Sequence, residues 1–160
     1  MSEHYLELRD VKKYFPTSGG ALHAVDGVTF TLEKGRSIGV VGESGCGKST
    51  LGRVISRLLD ATDGEVLFKG ENILDYKGRR LKEHRREIQM IFQDPFSSLN
   101  PRKTIYNTIA EPMLTQHILK SKAEVERRVL EKMETVGLAE LYVNTYPHEL
   151  DGGRRQRIGF

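Results

Sequence analysis

Hydrophobic positions change rhythm near residue 93 of this chain. Before it they fall in short, strand-length groups. Tyr5-Leu6-Glu7-Leu8 alternates apolar and polar side chains, the two-residue period of a half-buried strand. Val25 to Leu32 reads as a second strand, with Val28, Phe30 and Leu32 on one face. Thr17-Ser18-Gly19-Gly20 reads as a loop between them, Glu33-Lys34-Gly35 as a turn, and Thr62-Asp63-Gly64 as another turn before the strand Glu65-Val66-Leu67-Phe68. Arg36 to Val41 and Ile88 to Phe92 read as buried strands. The second ends at Gln93-Asp94-Pro95, where proline forbids simple continuation. Leu51, Val54, Ile55, Leu58 and Leu59 recur at helical spacing and predict a helix over 51–59.

After residue 93 the period is helical. Thr104 to His117 and Ser121 to Val136 read as helices, the first open to a kink or a break at Pro112. In the second, Val125, Val129, Met133 and Val136 share a face, and Glu124 sits four residues before Arg128. Ser121 with Glu124 offers a capping box, and Gly137 is the expected stop. The pattern therefore predicts an α/β protein with a β-rich part over about 1–93, a helical part over about 94–150 and a last segment over 150–160.

Composition narrows this modestly. A chain of 160 residues, 38% of them hydrophobic, has the core of one domain or a large piece of one. No apolar run approaches the ~20 residues that span a bilayer, and the start does not read as a signal peptide. The single cysteine, Cys46, excludes an internal disulfide and fits a reducing compartment. The net charge of +3 is mild, but its sources are clustered. Lys77, Arg79, Arg80, Lys82, Arg85 and Arg86 form one run and Arg154, Arg155 and Arg157 another. The first reads as a solvated helix face, because no aromatic residues interleave with it as stacking platforms for nucleic acid would.

The chemistry is concentrated in Gly42-Glu43-Ser44-Gly45-Cys46-Gly47-Lys48-Ser49-Thr50, which fits the phosphate-loop pattern G-x-x-x-x-G-K-[ST] between an expected strand and an expected helix. A triphosphate crowds negative charge into a small volume. A loop of this kind answers with a concave row of backbone N–H groups, and its glycines keep side chains away. Lys48 adds a cation for the outer phosphates, the Ser49 hydroxyl can ligate Mg²⁺, and the helix points its N-terminus at the charge.

Three further segments, in this order around the phosphate loop, resemble the ATP-binding subunits of ABC transporters. Val11-Lys12-Lys13-Tyr14-Phe15 resembles the adenine-stacking loop, with Phe15 at the usual offset and Tyr14 as second choice. Gln93, in Ile91-Phe92-Gln93-Asp94-Pro95, is similar to the glutamine that approaches Mg²⁺ and the attacking water. Leu150-Asp151-Gly152-Gly153-Arg154-Arg155-Gln156-Arg157 is similar to the signature LSGGQ-x-QR, whose residues reach the nucleotide of a second subunit. Phe92 to Arg102, with Tyr146-Pro147-His148-Glu149-Leu150, is narrower still and resembles the dipeptide, oligopeptide and nickel importer branch.

The resemblance implies a P-loop NTPase fold of the ABC type, with an antiparallel β subdomain and an α-helical subdomain, the C-terminal part of the core lacking. It implies ATP and Mg²⁺ as cofactors. Nucleotide contacts fall on Phe15, residues Gly42 through Thr50, Gln93, Asp151, Gly152 and Gly153, with Lys48 and Gln93 catalytic and Ser49 and Gln93 at the metal. Its partners are membrane-spanning permease subunits, a second ATP-binding subunit and, indirectly, a solute-binding protein, with no nucleic acid. The place is the cytoplasmic face of the membrane, reached through the permease.

Two departures from the family pattern set further expectations. Asp151 stands where serine is usual and Arg154 where glutamine is usual, and a carboxylate facing phosphate should weaken the signature. The Asp-Glu strand end and the switch histidine of the family do not occur within the 160 residues, so the chain by itself is expected to bind nucleotide weakly and not to turn over ATP. A non-hydrolysing nucleotide-binding fragment, and a soluble ABC ATPase acting on nucleic acid or ribosomes, are the alternative readings.

Overall fold

The computed structural model describes residues 4–92, 99–116, 118–119 and 121–159. Gln93 lies outside them, and so does the glutamine's expected role. The chain forms two compact units, Met1–Met90 and Ile91–Phe160.

The first unit is built on an antiparallel sheet in the order β2-β1-β3-β4. Strands β1 (Leu6–Thr17) and β2 (Gly20–Leu32) form a long hairpin that closes at the Thr17–Gly20 pair. The expected loop at 17–20 is thus a tight turn, and both strands run further than the alternating segments alone suggested. β1 also pairs with β3 (Asp63–Phe68), which pairs with the short β4 (Glu71–Asn72). Leu6, Leu8 and Val11 of β1, Val25 of β2 and Val66 and Phe68 of β3 face a core that Leu51 and Val54 of helix α1 (Lys48–Ile55) complete. Burial of this kind contributes about 1.5–3 kcal/mol per large aliphatic side chain.

Helix α1 stops four residues before its expected end. Leu58 is exposed, and Arg57 takes a left-handed backbone at φ 55° and is itself buried. Its guanidinium donates to the carbonyls of Ile73 (3.0 Å), Leu74 (3.2 Å) and Tyr76 (3.4 Å) and pairs with Asp60. These carbonyls cluster where the chain turns at 73–76, and a planar five-donor group reaches several at once. The tertiary demand outweighs the helical period of Leu58 and Leu59.

The basic run lies on helix α2 (Gly78–Glu87). Its exposed side is laced by pairs, Arg79 with Glu83 and Arg80 with Glu71, while Arg85 donates to the Arg57 carbonyl. Its inner side plants His84 between the ring edges of Phe68 and Tyr76.

Two expected strands are absent. Residues 36–41 and 88–92 carry no strand pairing, and Ile38, Val40 and Val41 are exposed, Val41 at 91%. A strand exists through its hydrogen-bonded neighbour, and no described segment pairs with either run. Their sequences are apolar enough for a sheet interior, but apolarity does not supply the partner.

The second unit is helical. Helix α3 (Ile105–Thr115) starts where Thr104 Oγ1 accepts from the Asn107 N–H at 3.3 Å. Pro112 stands inside α3 without ending it. Helix α4 (Lys122–Thr135) buries Val125, Val129 and Met133, the face the periodicity marked, against Ile105 and Ala110. Two expectations for α4 fail. The Ser121 side chain makes no capping bond, and Arg128 pairs with Glu131 on the next turn, not with Glu124. Gly137 ends the segment at φ 67°, a left-handed value that glycine adopts without a Cβ penalty. Helix α5 (Gly152–Ile158) closes the unit, with Ile158 packed on the same core. Among the described residues no helix is long and apolar enough to cross a membrane.

Candidate phosphate-binding site

The loop 42–47 is shaped by glycines that turn the backbone where other residues would not. Gly42, Gly45 and Gly47 all have positive φ, at 158°, 83° and 93°. At Gly47 the space is also taken. A Cβ there would sit 1.9 Å from the Ala24 carbonyl oxygen, so the loop is pressed directly onto strand β2. Gly47 then caps α1, and the Leu51 N–H donates to its carbonyl at 2.9 Å.

Lys48, the first residue of α1, folds back into this loop. Its ammonium donates to the carbonyls of Gly42 (2.8 Å) and Glu43 (2.5 Å) and lies 3.5 Å from Cys46 Sγ. The cation is thereby held at the centre of the loop by neutral dipoles. These partners leave its charge uncancelled, which is the state an incoming polyanion requires. Ser49 and Thr50 occupy the first turn of α1, and Ser49 is exposed beside Lys48. Cys46 is a free, exposed thiol on the loop's rim.

A cavity of about 570 Å³ opens next to the loop, lined on one side by Cys46, Gly47, Lys48 and Leu51 and on the other by residues of β2 including His23, Val25 and Asp26. The size suits a nucleotide, and the donor set is that of a polyphosphate site. The loop glycines and the Lys48 ammonium fit a polyphosphate, and Ser49, exposed on the first turn of α1, carries a hydroxyl oxygen of the kind a hard cation takes.

The expected stacking aromatic does not join that cavity. Phe15 pairs with Leu22 across the hairpin and carries the Lys13 ammonium 5.0 Å from its ring centroid. Its neighbour Tyr14 instead stacks on His23, with ring centroids 3.9 Å apart and planes 15° from parallel. The Tyr14 hydroxyl donates to Asp26 and holds that carboxyl below its ordinary range, while the carboxylate pushes the phenol up. His23 and Asp26 are residues the sequence reading missed. The signal was available only as position: both lie within two residues of Val25, a buried residue of β2.

In the second unit, the signature run begins α5. One Asp151 oxygen accepts from the Arg154 N–H at 2.8 Å and the other pairs with the Arg154 guanidinium at 2.6 Å. Arg154 also lies over the Tyr142 ring at 4.9 Å. Arg155 donates to the Leu150 carbonyl and Arg157 to the Gly137 carbonyl, so the second basic cluster fastens the helix to its own unit. Gly152 and Gly153 form the first turn and are exposed.

The chain is 53% identical to the oligopeptide transport ATP-binding protein OppF of Bacillus subtilis, over 99% of its own length and 52% of that protein's. It is 50% identical to OppF of Escherichia coli over 97% of its length and 46% of that protein's. The dipeptide transport ATP-binding protein DppF of Haemophilus influenzae is 44% identical, over 92% of this chain and 47% of that one. The chain therefore spans about half the length of the curated relatives it matches. Among solved structures, the dimeric bacterial ABC transporter cassette MJ0796 superposes with a TM-score of 0.84 at 28% identity, covering 96% of this chain and 66% of that one. The same cassette is known in a post-hydrolysis state bound to ADP and Pi. The fold is thus that of an ABC ATPase cassette, in the α/β class, of which the chain covers part. The family model for ABC transporters matches residues 25–160, and the chain belongs to that family.

Proposed function

We propose that this chain is part of the energy-coupling, ATP-binding subunit of an importer for oligopeptides or dipeptides. The observation that carries the reading is the loop Gly42–Gly47 closed around the Lys48 ammonium, in a chain half identical to proteins named for oligopeptide transport. Lys48 and the loop N–H groups hold the triphosphate, and the Ser49 hydroxyl, with Gln93, holds Mg²⁺. That ion, when bound, spreads the charge of the outer phosphate oxygens. The family resemblance assigns Asp151, Gly152 and Gly153 to the nucleotide of a second ATP-binding subunit. It assigns the helical unit to a membrane-spanning permease on the cytoplasmic face.

Nucleic acid is not needed to explain the basic helix. Arg79, Arg80 and Arg85 on α2 are engaged by Glu83, Glu71 and the Arg57 carbonyl. Transport is tested in cells that depend on an imported peptide for an essential amino acid. A Lys48→Ala change in the chromosomal gene should abolish that growth and leave growth on the free amino acid intact. Undiminished growth on the peptide would overturn the importer reading.

A further inference from the structure

A second cavity in the first unit, of about 210 Å³, shares no residue with the phosphate loop. Phe68 at the end of β3, Tyr76 and His84 of α2 give it aromatic walls. His84 lines it while being only 4% exposed. The imidazole hydrogen-bonds the Ile55 backbone, and of its two nitrogens Nε2 is the one buried without a described partner. Nδ1 is then the donor, and Nε2 carries the lone pair of a neutral ring. Ile55 does not line the cavity, so Nε2 is the nitrogen left for it. A buried acceptor of this kind is costly unless a donor reaches it.

Three carboxylates share the lining, and each has one oxygen engaged and one without a described partner. Glu71 Oε2 accepts from the Tyr76 hydroxyl and from Arg80, Glu87 Oε2 pairs with Lys69, and Glu83 Oε1 accepts from Arg79 at 2.8 Å. Lys69 and Arg80 are the two cations of the lining, so acid exceeds base there. Both already lie over rings, the Lys69 ammonium 4.9 Å from the Phe68 centroid and the Arg80 guanidinium 4.3 Å from that of Tyr76. An anion entering this space would have to displace Glu71 and Glu87 from those cations. A cation that donates hydrogen bonds meets unclaimed acceptors and ring faces instead.

We propose that this cavity binds a small primary ammonium ion, which donates to His84 Nε2 and to the unengaged carboxylate oxygens and rests its charge against the aromatic walls. The donor count fits: a primary ammonium carries three N–H groups and no acceptor. A metal ion fits less well, because among the described residues no three histidine, cysteine or acidic side chains converge as ligands. The volume is below that of pockets for drug-sized ligands, which excludes a nucleotide or a peptide. The site does not rest on the nucleotide reading of the loop.

The test titrates methylammonium chloride into the unsubstituted chain at about pH 7.5, where the imidazole is neutral. Sodium chloride at equal ionic strength and tetramethylammonium chloride, whose cation has no N–H donor, are the controls. Methylammonium should shift the His84 ring resonances and the backbone amide resonances of Phe68 and Tyr76 saturably, with a Kd of roughly 1–10 mM, and neither control should do so. This readout does not depend on any variant folding. On the same amides, His84→Phe should weaken binding at least about tenfold. Glu83→Gln should weaken it about threefold, since the partner of Glu83 is the 92%-exposed Arg79 and not a cation of the lining. No saturable shift in the unsubstituted chain, or an equal shift with either control, would overturn the site. Undiminished affinity in both folded variants would overturn it as well.

Discussion

Asp151 and Arg154 close on each other across the first turn of α5. The carboxylate accepts from the Arg154 backbone N–H with one oxygen and from its guanidinium with the other. The two departures from the family signature are therefore one structural unit. The negative charge expected to face phosphate is engaged by the cation three residues on, and the carboxylate does the capping work that a serine would do. Asp151→Ala should lower the stability of the helical unit by about 1 kcal/mol, and Asp151→Ser should recover most of it. Urea denaturation followed by circular dichroism reads the difference. Equal loss in both variants would mean that the cap contributes nothing.

The close approach of Gly47 to the Ala24 carbonyl makes a second prediction. Gly45 and Gly47 both have positive φ, but only Gly47 would drive a Cβ into backbone. Gly45→Ala carries the left-handed penalty alone, about 1–2 kcal/mol. Gly47→Ala adds the clash and should cost roughly 2–4 kcal/mol, with loss of the loop's seat on β2. Thermal midpoints of the two variants order them, and a Gly47→Ala protein as stable as Gly45→Ala would show that the loop is not pressed there.

His84 gives the first unit a pH dependence. It is 4% exposed, and its Nε2 is buried with no described partner. Burial holds the imidazole below its ordinary 6.5, opposed by Glu87 and a hydrogen bond to the Ile55 backbone and reinforced by Arg57 and Arg85. The folded chain is then neutral at His84 where the unfolded chain has begun to bind a proton. Stability from this group is complete above about pH 6.5 and is lost as pH falls toward the lower folded value. The denaturation midpoint should therefore drop on acidification from pH 7, and His84→Phe should flatten that slope whatever it does to the absolute stability. An unchanged slope in the variant would remove His84 as the cause.

Part of each strand of the β hairpin, the buried face of α4 and the phosphate loop were legible because each is written locally. Alternation marks Leu6, Leu8 and Phe30, a four-residue period marks Val125 and Val129, and the glycines mark the loop. What local pattern could not supply was the partner. Residues 36–41 and 88–92 have strand composition and no described neighbour to pair with. Leu58 and Leu59 continue a helical period that Arg57 breaks to reach three distant carbonyls. The hairpin register, which brings His23 into the lining of the cavity beside the phosphate loop, includes a bulge at Ala24 that no alternating pattern announces.

The central claim is that Lys48, held by the Gly42 and Glu43 carbonyls, is the cation of a nucleotide site. The most direct measurement is equilibrium binding of ATP with Mg²⁺ to the chain and to Lys48→Ala. The account predicts saturable binding that falls at least about tenfold in the variant, the loss of a charge-assisted contact of roughly 1.5–3 kcal/mol. Identical binding curves for the two proteins would contradict it.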